Sequence, residues 1–219
     1  MPDMRLRNWT NQLRLPGILL LLLGQCQSTS ALRHVDKHGD LFADSLDALD
    51  LVYSNQDTGM VLQFEPDWQV FAHFDTFPQS ARKAAQKIRA SDQAWNINGE
   101  VALIAWLPEQ RLWLRVIVEE AALSLGQYHN VILKANQRVM LDAQDMSIET
   151  IQWAGREAVL WQYTGNSSGQ AIRTVEYQFQ YRACNLRFTY WTGLRQLPAA
   201  LVRIRELMHT LRFQIVKKD

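Results

Sequence analysis

The chain has 219 residues, 47% of them hydrophobic and 21% charged, with a formal net charge of +1. These are ordinary globular values that exclude a disordered chain. The near-neutral balance leaves no electrostatic footprint for nucleic acid or an acidic membrane surface, and two cysteines, Cys26 and Cys184, are too few for a disulfide scaffold.

Arg5, Arg7 and Arg14 precede a compact apolar run, Leu15 to Gly24, and polar residues follow. A basic head, a short apolar middle and a polar sequel make a secretory signal. The run is shorter than the roughly 20 residues a bilayer-spanning helix needs. Within it, Leu23-Gly24-Gln25-Cys26 resembles the lipobox of bacterial lipoproteins. That resemblance implies that Cys26 receives lipid and becomes the new N-terminus. Gln25 stands where the lipobox has a small residue, and an ordinary signal cut after Ala31 is the alternative, giving a soluble periplasmic chain. Gln27 follows the cysteine in place of the Asp that retains such lipoproteins in the inner membrane, so the resemblance implies an outer-membrane lipoprotein of a bacterial envelope, facing the periplasm. The chain then divides into a signal peptide (1–25), a tether (26–55) and one domain (56–219).

The tether begins Gln27-Ser28-Thr29-Ser30 and carries His34, Asp36, His38 and Asp40. Two histidines four apart would share a helix face and could approach a metal. The segment has no helical pattern and no third ligand on a fixed element, so no metal site is expected. Leu41, Phe42, Leu46, Leu49 and Leu51 fit a short amphipathic helix docked on the domain, and Asn55 to Gly59 is a turn cluster.

Met60 to Phe64 reads as the first strand, ended by Pro66; Phe71, His73 and Phe74 fit an edge strand, and Gln79 to Ile88 a helix after Pro78. Val101–Leu107 and Arg111–Glu119 flank Pro108-Glu109-Gln110 and predict an antiparallel hairpin. The period then changes: Leu125, Tyr128, Val131, Ile132, Ala135 and Val139 predict a helix that crosses one face of the sheet, begun by a Ser124/Gln127 capping box. Met146–Trp153 and Arg156–Tyr163 form strands around Ala154-Gly155, and Gly165 to Gly169 is a turn. From Ala171 to Ala183, Val175, Tyr177, Phe179 and Tyr181 alternate with Thr174, Glu176, Gln178, Gln180 and Arg182. This predicts a strand with one face on a core and the other in water. A strand through Leu186, Phe188 and Tyr190 follows; it makes Cys184 a buried, inert thiol. The alternative soluble form would also permit a Cys26–Cys184 disulfide. Pro198 opens a last helix with Leu201, Ile204, Leu207, Met208 and Leu211 on one stripe, and Phe213, Ile215 and Val216 fit a final short strand. Strands follow strands without intervening helices, so the fold class is α+β, a meander of antiparallel strands with a mid-chain and a C-terminal helix.

This order resembles the PsbP-like fold and, within it, the DcrB-like envelope lipoproteins. The resemblance rests on the Gly59 to Trp68 opening, the Ser124-led helix, and the ending from Asn185 through Phe188-Thr189-Tyr190 to Leu211-Arg212-Phe213. It spans about residues 56 to 216 and implies an α-β-α sandwich that acts as a binding or assembly module, with no catalytic set.

Gly165-Asn166-Ser167-Ser168-Gly169 fits G-x-S-x-G, but a hydrolase elbow requires a strand, a sharp turn and then a helix, and here a strand follows. His73, His129 and His209 are not linked to a nucleophile by any spacing. Glu119-Glu120 and Asp142/Asp145 read as ordinary acids at strand ends. No cofactor signature is present. The eight tryptophans are the unusual feature. Trp113 with Arg115, and Trp191 with Arg187, lie on faces opposite the aliphatic rows. Left uncovered, they would form an aromatic–basic surface for a partner; a helix lying over them would close it. The leading expectation is a non-enzymatic binding or assembly module anchored to the envelope by lipid. The alternative is a periplasmic small-ligand carrier with a pocket between sheet and helix. Mass spectrometry of the mature chain is expected to find acylated Cys26 at the N-terminus, and Cys26→Ser to release the chain from membranes; a mature N-terminus at Leu32 would indicate the ordinary signal peptide.

Overall fold

The computed structural model describes residues 44–47, 51–72, 76–79, 82, 98–120, 123–140, 143–167 and 169–214. Cys26, the His34–Asp40 cluster, His73 and most of the helix expected over 79–88 lie outside them. The elements in chain order are β1 (Asp44–Asp47), β2 (Val52–Asn55), β3 (Met60–Gln63), β4 (Gln69–Phe71), β5 (Asn98–Leu107), β6 (Leu112–Glu120), α1 (Leu125–Met140), β7 (Gln144–Trp153), β8 (Arg156–Ser167), β9 (Gln170–Tyr181), β10 (Cys184–Gly193), α2 (Leu197–Thr210) and β11 (Arg212–Phe213). The fold is α+β.

Seven strands form an antiparallel sheet in the order β4-β5-β6-β10-β9-β8-β7. Its hairpins close at tight turns. Ala154 (φ 50°) and Gly155 (φ 71°) both take the left-handed conformation between β7 and β8, as the two-residue turn that matches strand twist requires. Arg111 (φ 46°) closes the β5–β6 turn, with its N–H on the Pro108 carbonyl at 3.1 Å. The segment resembling a serine elbow is strand, turn and strand again: Ser167 pairs with Gln170 at the end of β8, and the Gly169 N–H is held by Asn166 Oδ1 at 3.1 Å.

A second sheet, β1-β2-β3-β11, shares no strand pairing with the first. It revises two expectations. Residues 44–47 and 52–55 are strands, not a docked helix, and the 55/56 boundary falls inside the β2–β3 hairpin. The leucine spacing is ambiguous over so short a run; burial of Tyr53, 0% exposed, decides it. The hairpin turn is tied by Asn55 Oδ1, which accepts from the Thr58 N–H at 2.8 Å and the Thr58 hydroxyl at 2.7 Å.

The main core lies between one face of the large sheet and a layer made of α2 and the small sheet. Leu114, Val116, Val118, Tyr177, Phe179, Leu186, Phe188 and Tyr190 meet Ile204, Leu207 and Met208 of α2 and Met60 and Leu62 of β3. Arg203 reaches from α2 to both Asp67 oxygens at 2.7 Å, and also to Glu65 and Glu206. The Thr210 hydroxyl accepts from the Gln63 N–H at 3.0 Å. Helix α1 packs on the opposite face, against β8 and β9. Its expected capping box forms: the Ser124 N–H and hydroxyl both donate to Gln127 Oε1 at 3.0 Å.

Phe179 is fully buried and packs edge-on against Phe188 and Phe213. Phe179→Ala should lower stability by about 3–5 kcal/mol, read from the urea midpoint, whereas replacing the 52% exposed Val202 of α2 by Ala should change it by less than about 0.5 kcal/mol.

Candidate functional site

The strand pairings lay the α1-side face of the large sheet out in rows. Trp106, Trp113, Trp191, Thr174 and Tyr163 are successive cross-strand partners from β5 to β8. The next row is Ile104, Arg115, Thr189, Glu176 and Trp161, and beyond it Ile117, Arg187, Gln178 and Val159 line up. Period-two alternation thus brings Trp113, Arg115, Arg187 and Trp191 onto one face in register.

The face is not open. Arg115 and Trp191 are each 4% exposed, Thr174, Glu176 and Gln178 are buried, and Arg187 retains 11% of its side-chain exposure. The open four-residue patch and the expectation that this side of β9 faces water are both corrected by this burial. Over β8 and β9 the covering element is α1, whose Tyr128, His129 and Ile132 point into the sheet. Only Gln180 and Arg182, at the end of the polar row, stay exposed.

Enclosed polar groups must find partners inside the protein. Tyr128 donates to Glu119, and Arg187 lies 3.6 Å from the same carboxylate. Glu176 accepts from Gln178 Nε2 at 2.7 Å and from the Thr189 hydroxyl at 2.8 Å, while His129 Nδ1 meets Gln178 Oε1 at 3.0 Å. Arg115 stands over the Trp191 ring at 5.3 Å, a cation–π contact. Burial, then repulsion from Arg187, brings its pKa down to about 10; burial, then Glu176, pushes the Tyr163 hydroxyl up to about 12. The set is two arginines balanced by two glutamates, which suits a structural network. The Cys184 thiol, half-buried, is pushed up to about 11 by burial and by Glu120, which keeps it protonated and weakly nucleophilic at neutral pH.

At the end of the face the tryptophan row comes back to solvent. Trp106 and Trp113 are partly exposed and stack with ring centroids 4.5 Å apart at 30°. Sequence reading missed Trp106 as a member of this face. A three-residue turn over 108–110 would pair Trp106 with Leu112; the turn takes in Arg111 as well, and this one-residue shift sets Trp106 opposite Trp113.

No protein-family model matches the chain, and no curated protein matches it. Solved structures match in fold. The cyanobacterial PsbP protein CyanoP from Synechocystis sp. PCC 6803 aligns over 85% of this chain and 98% of its own, with 11% identity and a TM-score of 0.48. LpqN, involved in cell envelope biogenesis of Mycobacterium tuberculosis, aligns over 80% and 86%, with 8% identity and a TM-score of 0.47. A Pseudomonas aeruginosa protein of unknown function aligns over 58% and 89%, with 18% identity and a TM-score of 0.41. The likeness to the PsbP-like fold is distant, and at these values it transfers no residue role and no activity.

Burial holds the Glu119 carboxyl above its ordinary value of 4.5, opposed by Arg187. The folded chain therefore holds this proton more tightly than the unfolded chain, and the group's contribution to stability falls as pH rises from about 4.5 through its folded value. Glu119→Gln keeps an acceptor for Tyr128 and removes the titration. Urea midpoints taken from pH about 4.5 to about 8 should fall more steeply for the wild type than for this variant; parallel curves would show that Glu119 does not titrate in that window.

Proposed function

We propose that this chain is a DcrB-like bacterial envelope lipoprotein, tethered through Cys26 to the outer membrane, that works by docking a protein partner and not by catalysis. The observation that supports this reading is the stacked, partly exposed Trp106–Trp113 pair at the edge of an otherwise enclosed face. Binding energy concentrates in a few large aromatic residues set on a rigid base. Here the base is a β-hairpin, flanked on the same face by the buried Trp191 and Arg115. The partner in this reading is another envelope protein or membrane complex, reached from the lipid tether.

The small-ligand carrier reading has weaker support. The α1–sheet interface is occupied by Tyr128, Ile132, Trp161 and Tyr163, and the α2–sheet interface by the main core. A recess bounded by Gln63, Trp68, Arg203 and Leu207 has a volume of about 30 Å³, against the roughly 300 Å³ or more of small-molecule sites.

A photo-crosslinking side chain at position 106 of the full chain, activated in intact envelopes, should give one discrete protein adduct. Trp113→Ala should weaken that adduct's formation by about 30-fold in partner affinity, the cost of losing an aromatic hot spot of about 2 kcal/mol, with the circular dichroism unchanged. Absence of a discrete adduct, or an adduct insensitive to Trp113→Ala, would remove this surface from the proposal.

A further inference from the structure

Strand β7 is an edge unlike the others. Among the described residues, the two sheets end in β1, β11, β4 and β7, with 4, 2, 3 and 10 residues. Short edges offer little to pair with, and long edges are ordinarily blunted by lysine, proline or a bulge. The β7 sequence, Gln-Asp-Met-Ser-Ile-Glu-Thr-Ile-Gln-Trp, has neither lysine nor proline. Its one irregularity lies between Gln144 and Ser147, where Arg173 binds the Asp145 carbonyl at 2.9 Å. From Ser147 to Trp153 its pairing with β8 is regular, so its far side, unpaired among the described residues, presents an unbroken row of backbone groups.

The two-residue turn makes Trp153 and Arg156 the first hydrogen-bonded pair, and the bonding alternates from there. The N–H and C=O groups of Ile148, Thr150 and Gln152 therefore face outward. Met146 (53% exposed) and Ile148 (44%) stand on the α1 side, where Ile148 is the cross-strand partner of the buried Trp161. They extend the cluster beneath α1 to the sheet edge.

We propose that β7 pairs with β7 of a second copy of this chain, antiparallel about a two-fold axis at Ile148, joining the two large sheets into one. Register selects the occupant. With Ile148 opposite its own copy, each Met146 lies diagonal to the other chain's Ile148, within reach of a long side chain, and Glu149 faces Ser147. A shift by one residue on each strand sets Glu149 against itself, and like charges directly opposite are destabilising. A symmetric pairing is isologous and closes after two copies, which gives a bounded dimer in place of a fibre. This edge is separate from the Trp106–Trp113 surface, at the other side of the sheet.

The test is a cysteine scan of the full chain in intact envelopes, in a Cys184→Ser background with Cys26 kept for the anchor. A hydrogen-bonded pair places its Cα atoms about 5.5 Å apart, inside the range a disulfide spans. Ile148→Cys should form a disulfide-linked species of twice the chain mass on mild oxidation; Thr150→Cys, displaced from its own copy in this register, should remain at the background level. Sedimentation of the detergent-solubilised wild type should give the dimer mass, and Ile148→Lys should weaken self-association about tenfold or more with unchanged circular dichroism. A monomeric wild type, equal cross-linking at both positions, or capture of a different chain at position 148 would overturn the proposal.

Discussion

Strand β10 lies in the middle of the large sheet with both faces enclosed, and most of the architecture answers to that constraint. On one side Leu186, Phe188 and Tyr190 need an apolar layer, which α2 and the small sheet supply. On the other side Asn185, Arg187, Thr189 and Trp191 are also withdrawn from water, and a desolvated charge is tolerated only where partners surround it. The partners come from both neighbouring strands and from α1: Glu119 on β6, Glu176 on β9, and Tyr128 on the helix. Helix α1 thus contributes Tyr128 and His129 to the polar network as well as packing on the sheet. Removing one member would leave another buried without compensation, which is costlier than the pair is worth.

Element types and order were legible in the sequence because they follow local rules. Tight turns punctuate the C-terminal meander, the capping box marks the start of α1, and the stripe of α2 follows helical spacing. The small sheet was not legible. Its strands are short, β11 pairs with β3 across most of the chain, and neither periodicity nor turn chemistry encodes a long-range partner. For the same reason the polar side of β9 read as solvent-facing: alternation reveals that two faces differ, not that the polar one will be covered. The spacing of α1 predicted a helix lying on the sheet without saying on which side.

The candidate site was legible as a face and illegible as a surface. Alternation places Trp113, Arg115, Arg187 and Trp191 together, and the strand register agrees. Exposure depends on what packs above, and there Arg115 and Trp191 are enclosed while Trp113 emerges with Trp106. Arginine and tryptophan in a strand have the same signature whether they serve a buried cation–π contact or an outward anchor.

The closing of the small sheet by β11 bears on when the domain can form. Arg212 registers with Val61, and the Gln214 N–H reaches back to the Gly59 carbonyl at 2.7 Å, whereas the β7–β8, β8–β9 and β9–β10 pairings each join successive strands. For a chain that emerges N-terminus first, β3 appears early and must wait for nearly the last residues before its second neighbour arrives. The meander can zip as it appears, but the layer over the main core is completed last, by contacts of high loop-closure cost. Met60 and Leu62 would thus be uncovered longest as the chain emerges, which makes β3 the segment a holdase chaperone would encounter.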